Sequence, residues 1–114
     1  MKLSNPFPER VRNLYLYVFS CLECLRSDLG LELHHIKGRI SDSAFNAAVI
    51  CPDCHVHIEH NLETHRRLFK KNAKFLYEQG YKPIIEDFQF IQDNPELVDD
   101  EFLGWLFSLS TSSK

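Results

Sequence analysis

The sequence predicts a small α+β domain, on the basis of three observations. The chain has 114 residues, which leaves room for one domain with a modest core. The segment "LGLELHHI" alternates apolar and polar residues and the segment "AAVI" is short and apolar, so both are typical of strands. From Leu62 to Tyr77 the apolar residues recur at helical spacing and Gly80 is a natural stop, which predicts one long helix.

The remaining elements are predicted in chain order. Residues 7 to 19 place apolar side chains at helical spacing, which favours a helix, although strand-favouring residue types are frequent there. A second helix is expected to begin near Pro52, because proline is favoured in a first helical turn, and to run towards Asn61. The segment "IIEDFQFI" is a short element of ambiguous type. The segment "NPELVDDEFLGWLFSL" predicts a terminal helix capped by Asn94, with acidic residues near its positive end.

Four cysteines form two Cys-x-x-Cys pairs, "CLEC" (Cys21 and Cys24) and "CPDC" (Cys51 and Cys54). Two pairs at this separation are the signature of a four-thiolate zinc site, in which each pair supplies two sulfurs to one ion. Two disulfides or a redox dithiol are the alternatives. No apolar N-terminal segment of the secretory type precedes the first pair, so nothing places the chain in an oxidising compartment. We therefore expect structural zinc.

Charge is divided unevenly along the chain, although the formal net charge is only −3. Residues 1–82 hold 12 Lys and Arg against 9 Asp and Glu, whereas residues 83–114 hold only Lys114 against seven acids. A net negative charge argues against simple nucleic-acid binding by the whole chain. The division indicates that the two parts meet different partners.

The segment "LELHHIKGRISDSAFNAAVICPDCH", with "CLEC" upstream, combines a His-His pair, an Asn and a Cys-x-x-Cys-His sequence in one order. In this it resembles the HNH endonucleases, over about a fifth of the chain. The resemblance implies a zinc-stapled ββα-metal core with additional helices, in which a hairpin and a helix surround one catalytic metal. We expect this nuclease domain to span residues 1–82, followed by an acidic, partly helical extension over residues 83–114.

Hydrolysis of a phosphodiester needs a cation on the phosphate and a base that deprotonates water. An imidazole, with an ordinary pKa near about 6.5, is a suitable base at neutral pH. Neighbouring residues on a strand face opposite ways, so His34 and His35 are expected to have different tasks. By the resemblance, His35 is the general base, His34 and His55 bind the catalytic metal, and Asn46 holds the loop and orients the base.

The identity of the metal and the completeness of its ligand set stay open. Many HNH sequences have Asp where His34 stands, whereas a subset that includes the colicin-type DNases has His-His. Glu59 is expected one helical turn after His55, near enough to join the metal directly or through water. His57, His60 and His65 are interpreted as solvent-facing or packed. A nitrogen-rich site suits Zn²⁺, Ni²⁺ or Mn²⁺ better than Mg²⁺, and all four are candidates.

Basic residues are available to hold DNA. Two of them follow the His-His pair in the turn "KGR", and others lie on the long helix, opposite its apolar stripe. A charged helix face is also common as a merely solvated surface. The residues expected to bind nucleic acid are Lys37, Arg39, Arg66, Arg67, Lys70 and Lys74.

Together these features predict a metal-dependent HNH endonuclease that hydrolyses DNA and carries a structural zinc ion. The main alternative is a non-catalytic zinc-ribbon module that binds DNA or protein, and RNA stays open as a substrate. The acidic extension is expected to dock on the basic helix, on a second copy of the chain or on a partner protein. No stretch is long enough to cross a bilayer, so we expect a cytoplasmic protein of a bacterium or a phage-infected cell.

Overall fold

The structure, a computed structural model, describes residues 7–27, 30–38 and 40–104. Two strands form an antiparallel pair, in which His35 lies opposite Ala47. The second strand is buried throughout, whereas the first alternates between half-buried and buried residues. The predicted strands and the α+β class are confirmed. The strands are β1 (Glu32–His35) and β2 (Ala47–Ile50).

Helices surround this strand pair. Asn61 caps the longest helix, because its side-chain oxygen accepts a hydrogen bond from the backbone N–H of Thr64 at 2.9 Å. Residues 100–104 are again helical. The other helices are α1 (Glu9–Arg12), α2 (Pro52–His57), α3 (Leu62–Glu78) and α4 (Ile85–Asp93), and short 3₁₀ turns cover Asn13–Tyr15, Ala44–Asn46 and Pro95–Leu97.

Two predicted helices differ in extent from the structure. The helix expected over residues 7–19 is limited to α1 and the 3₁₀ turn that follows it. The helix expected to run from Pro52 towards Asn61 ends at His57, because Ile58 is extended (φ −69°, ψ 135°). The ambiguous segment "IIEDFQFI" is helical and forms most of α4.

The single terminal helix predicted from Asn94 is wrong. A 3₁₀ turn is followed by Val98 in an extended conformation, and the chain becomes helical again only at residue 100. The new helix is capped by Asp99, whose carboxylate accepts a hydrogen bond from the N–H of Phe102. This break allows both Leu97 and Phe102 to be buried. Asn94 instead donates its side-chain N–H to the carbonyl of Phe90.

The core is centred on Phe69 of α3, which is fully buried. Its ring contacts Phe102 at a centroid distance of 4.8 Å, and it also meets Phe45 and Phe90 at 6.0 and 6.4 Å. The predicted apolar stripe of α3 is buried at Leu68, Phe69, Ala73 and Leu76. Phe75 is half-buried, and Leu62, the first residue of the helix, is 43% exposed. Helix α3 therefore joins the strand pair to the C-terminal elements.

A buried carboxylate, Asp87, fixes α4 to the segment before β2. It accepts hydrogen bonds from the Ser43 hydroxyl at 2.6 Å and from the Ala44 N–H at 3.2 Å. The Tyr81 hydroxyl and the Ile84 N–H also donate to it. These four donors satisfy a charge that would otherwise be costly to bury. The turn that leads into Asn46 is thereby held from outside the strand pair.

No helix within the described ranges combines the length and the apolar character that spanning a bilayer requires.

Candidate functional site

The four cysteines come together in one cluster. Their Sγ atoms all lie within 4.8 Å of one another, and those of Cys24 and Cys51 are 3.8 Å apart. All four are free thiols, which removes the disulfide alternative for this structure. A tetrahedral ion with Zn–S bonds of about 2.3 Å separates its sulfurs by about 3.8 Å. The cluster could therefore hold a metal such as zinc.

Backbone N–H groups converge on the sulfurs of both cysteine pairs. Cys21 Sγ accepts hydrogen bonds from the N–H groups of Glu23 and Cys24, and Cys51 Sγ accepts one from that of Cys54. Burial raises the pKa of Cys21, but three backbone N–H groups directed at its sulfur outweigh burial and lower the pKa to about 7. At Cys21 this favours the thiolate form, which is the form that binds metals, whereas burial and the neighbouring thiols raise the pKa of Cys54.

The cluster also fixes the neighbouring elements. Leu22, in the first cysteine pair, donates its N–H to the Val49 carbonyl on β2 at 2.7 Å. Glu23 of the same pair accepts hydrogen bonds from Arg67 on α3 at 2.5 and 3.2 Å. Cys51 is the N-cap of α2. A metal in this cluster would thus hold β2, α2 and α3 in fixed relative positions.

The two histidines of β1 face opposite sides of the strand, as the period of two predicts. His35 is buried and only 7% exposed, whereas His34 is half-buried and turned towards α2. The ring of His34 lies 4.9 Å from that of His55, centroid to centroid, with an angle of 61° between the planes. The structure therefore brings together the two residues predicted as catalytic-metal ligands.

Glu32 takes part in this site, although the sequence analysis did not include it. Its Oε1 lies 3.1 Å from Nδ1 of His55. A carboxylate only accepts, so the Nδ1–H donates and Nε2 is left with a lone pair. Glu32 and His34 are two residues apart and share one face of β1, and this spacing was the signal that could have identified Glu32.

His60 and His65 extend the group of imidazoles beyond the predicted pair. The ring of His60 lies 5.9 Å from that of His34 and 6.1 Å from that of His65. Burial, with the charges of His55 and His60 next, lowers the pKa of His34 to about 4. His34 is therefore neutral at physiological pH, which is the form that binds metals. We call His34, His55 and His60 the histidine cluster.

The reason for including Glu59 among the ligands is wrong. The helix α2 ends at His57, so Glu59 does not lie one helical turn after His55 on a common face. Glu59 accepts a hydrogen bond from the side chain of Asn61. Among the described residues, the cysteines form the one group in which three or more potential ligand atoms already lie mutually within 4.8 Å.

His35, the predicted general base, is held between an aromatic ring and a carboxylate. Its ring is stacked on Phe7, with centroids 3.7 Å apart and planes within 7°. Its Nε2 lies 3.4 Å from Oδ1 of Asp42, whose side chain is half exposed. A carboxylate in this position can orient the ring and stabilise its protonated form. Neither Phe7 nor Asp42 was assigned a role from the sequence.

Asn46 is fully buried and ties the loop after β1 together. Its side-chain amide donates to the carbonyls of Gly38 and Ser41 at 3.0 and 2.8 Å, and its side-chain oxygen accepts from the Lys37 N–H at 2.9 Å. Its own carbonyl accepts from the N–H of Ile36. Asn46 therefore shapes the segment that immediately follows His35.

Most basic residues predicted to bind nucleic acid have partners inside the protein. Lys37 pairs with Glu96, and Lys70 pairs with Asp99 and Glu101. Lys74 is exposed, and Arg39 lies outside the described residues. The two arginines of α3 are also engaged, Arg66 with the Glu96 carbonyl and Arg67 with Glu23.

Comparisons of the chain with protein-family models, with curated proteins and with solved structures find no significant match. The HNH family and nuclease activity stay predictions.

Proposed function

We propose that this protein is a metal-dependent endonuclease that hydrolyses DNA phosphodiester bonds at an HNH-type site, and that its four cysteines hold structural zinc. One observation carries the proposal. His34 and His35 leave β1 on opposite faces, and the ring of His34 lies 4.9 Å from that of His55. One face of the strand thus turns His34 towards His55 on α2, which makes them a pair of candidate nitrogen ligands, and the other face carries a candidate base.

The separation of His34 and His55 fits a shared divalent cation. Two imidazoles bound to one ion through metal–nitrogen bonds of about 2.1 Å hold their ring centroids about 5 Å apart. The hydrogen bond from His55 to Glu32 orients its ring, as carboxylate partners of metal-binding histidines do. A cation bound there would neutralise the scissile phosphate and acidify a bound water.

His60 is the best candidate for a third ligand, in place of Glu59. Its ring is the nearest to His34 after that of His55. It lies in the segment between α2 and α3, which has no regular secondary structure, so a small rearrangement could bring its ring closer. Three imidazoles would leave coordination positions for phosphate and water.

His35 would accept the proton of the attacking water. The stack on Phe7 restricts the orientation of its ring, and Asp42 is placed to stabilise the imidazolium that forms. The small exposed fraction of His35 is compatible with this task, since a general base needs to reach only one water molecule. The loop held by Asn46 lies beside it.

Nicking of supercoiled plasmid tests the proposal. The wild-type protein is incubated with chelator and with Mg²⁺, Mn²⁺, Ni²⁺ or Zn²⁺ in turn, and we expect cleavage with at least one metal. His35→Gln should reduce the rate by about 10²–10⁴-fold, the usual contribution of a general base. His57→Gln is the matched control, because His57 is exposed and bonded to the Asp53 carbonyl of its own helix. Equal rates for wild type and His35→Gln, or no cleavage with any metal, would contradict the proposal.

A non-catalytic zinc module that binds nucleic acid or protein is the second candidate. It is favoured by the fact that, within the described part of the chain, only the cysteines form a ready group of three or more ligands. A zinc module of this kind does not explain why His34, His55 and Glu32 lie together. The same assay separates the two, since such a module would bind zinc and leave the plasmid intact. A labelled RNA in parallel decides between DNA and RNA as the substrate.

A further inference from the structure

Acidic side chains that follow α4 form ion pairs with lysines that are predicted to bind DNA. The Nζ atom of Lys37 is 2.5 Å from Glu96, and that of Lys70 is 2.6 Å from Asp99 and 2.9 Å from Glu101. We call residues 96–101 the acidic segment. Two lysines on separate elements, the loop after β1 and helix α3, are thus neutralised by one short stretch of chain.

The arginines of the same surface are also engaged. Arg66 Nε donates to the Glu96 carbonyl at 2.6 Å, and Arg67 is paired with Glu23. Arg66, Arg67 and Lys70 line an open groove on which Asp99 also lies. Four of the five described side chains predicted to contact DNA therefore have partners within the protein.

We infer that the acidic segment is a built-in competitor of nucleic-acid phosphate, whose carboxylates occupy Lys37 and Lys70 and must be displaced when DNA binds. The inference rests on the proposed function, because that function identifies the surface as the one that meets DNA. Glu96 also lies near the histidine cluster. Its carbonyl accepts a hydrogen bond from Arg66, which directly follows His65, and the ring of His65 lies 6.1 Å from that of His60.

The ion pairs of the acidic segment are partly exposed, so DNA phosphate can displace them. The Lys70 and Asp99 side chains are 34% and 35% exposed, and ion pairs at that exposure are screened by water and salt. Leu97 and Phe102 are buried and hold the backbone of the acidic segment in place. We therefore expect the side chains to separate while the backbone stays, which leaves the acids near bound DNA. The result is weakened binding, not a complete block.

Isosteric neutralisation tests the inference. The triple variant Glu96→Gln, Asp99→Asn, Glu101→Gln keeps the side-chain shapes, and Asn can still cap the helix at position 99. The control triple variant Glu9→Gln, Glu78→Gln, Asp93→Asn has the same net charge and alters exposed acids outside the acidic segment, for which the structure shows no ion pair to these lysines. Binding of a fluorescent DNA duplex is measured by fluorescence anisotropy across a range of salt concentrations. A weak chelator prevents cleavage, at a concentration that leaves zinc on the cysteine cluster.

We expect the triple variant to bind DNA about tenfold more tightly than the control variant. Its plot of log affinity against log salt concentration should also be steeper, because up to about two more counterions are released on binding. Adding Lys37→Gln and Lys70→Gln to the triple variant should remove the gain. Equal affinities of the triple variant and the control variant, or a gain that persists without the two lysines, would overturn the inference.

Plasmid cleavage by the same proteins keeps the two proposals apart. Tighter binding without any cleavage would uphold the competitor and contradict the nuclease. If all the variants cleave the plasmid and the triple variant binds DNA no more tightly than the control variant, the nuclease proposal would be upheld and the competitor inference contradicted. Thermal unfolding of each variant checks that the changes in affinity do not arise from loss of the fold.

Discussion

His34 and His55 face each other across the junction of β1 and α2, with ring centroids 4.9 Å apart. The strand register creates this relationship. His34 lies opposite Ala48 on β2, and the chain continues from β2 through the Cys51 cap into α2. The second cysteine pair therefore positions His55, so the histidine cluster depends on the cysteine cluster.

The first prediction concerns metal binding at this pair. Replacing either His34 or His55 by alanine removes one of two converging nitrogen atoms, and we expect the affinity for Ni²⁺ or Zn²⁺ at the second site to fall by at least about 100-fold. Isothermal titration of the zinc-loaded protein measures this. His57→Ala should bind as the wild type does, since its Nδ1 is bonded to its own helix. Unchanged metal affinity in His55→Ala would show that His55 does not bind the metal.

Glu32→Gln should have a smaller effect on the same titration. The Gln oxygen can still accept the hydrogen bond from Nδ1 of His55, but it forms a weaker hydrogen bond than a charged carboxylate does. Outer partners of this kind typically change metal affinity by about 10–100-fold when replaced. Glu32→Ala should lose more than Glu32→Gln, because no acceptor is left. If both variants bind metal as the wild type does, Glu32 does not act through His55.

The third prediction is that the cysteine cluster supports the fold. Cys24→Ser or Cys54→Ser removes one of four sulfurs that lie within 4.8 Å, and the elements held by the cluster should lose their common anchor. Because structural zinc contributes folding free energy directly, we expect loss of the cooperative thermal transition and of one bound zinc per chain. A strong chelator should have the same effect on the wild type. A Cys54→Ser protein with a wild-type transition and zinc content would show that the cluster is not structural.

The parts of the site that the sequence predicted are those encoded locally. Two cysteines three residues apart are close in space because of their sequence spacing alone. Two neighbouring residues on a strand point to opposite faces for the same kind of local reason. Cys21 with Cys24, and His34 with His35, could therefore be interpreted without coordinates.

The parts that the sequence missed depend on tertiary packing. Glu32 meets His55 only because β1 lies beside the start of α2, and His60 approaches His34 only because α2 stops at His57. The break at Val98 has the same origin. Asn94 followed by proline is a typical local signal for the start of a helix, but the burial of Leu97 and Phe102 outweighs this local preference.

The charge division of the sequence was visible, but its geometry was not. The excess of acids after residue 83 indicated docking on a basic surface or on a partner. The structure pairs Glu96 with Lys37, and Asp99 with Lys70. The boundary at residue 82 stays a prediction.

The fourth prediction concerns Asn46. Asn46→Ala leaves one N–H and two carbonyls of the loop without their partner, and we expect it to destabilise the protein by about 2–4 kcal/mol. Asn46→Asp should be at least as destabilising, because a carboxylate cannot donate to the carbonyls of Gly38 and Ser41. Urea unfolding measures both. Asn61→Ala is the residue-matched control and should cost about 1 kcal/mol as a lost helix cap. Equal losses at the two positions would show that the loop does not depend on Asn46.

Asp87 provides the last test, at a distance from the proposed chemistry. It is fully buried and accepts four hydrogen bonds, two of them from Ser43 and Ala44 immediately before Asn46. Asp87→Asn keeps the shape but turns an N–H₂ group towards groups that donate, so we expect a loss of about 2–4 kcal/mol in the free energy of unfolding. Asp93→Asn on the same helix is exposed and should change stability by less than about 0.5 kcal/mol. Amide hydrogen exchange at Lys37 should also accelerate in Asp87→Asn, because the turn before Asn46 loses its anchor on α4. Unchanged exchange at Lys37, with or without a loss of stability, would mean that α4 does not support the loop beside His35.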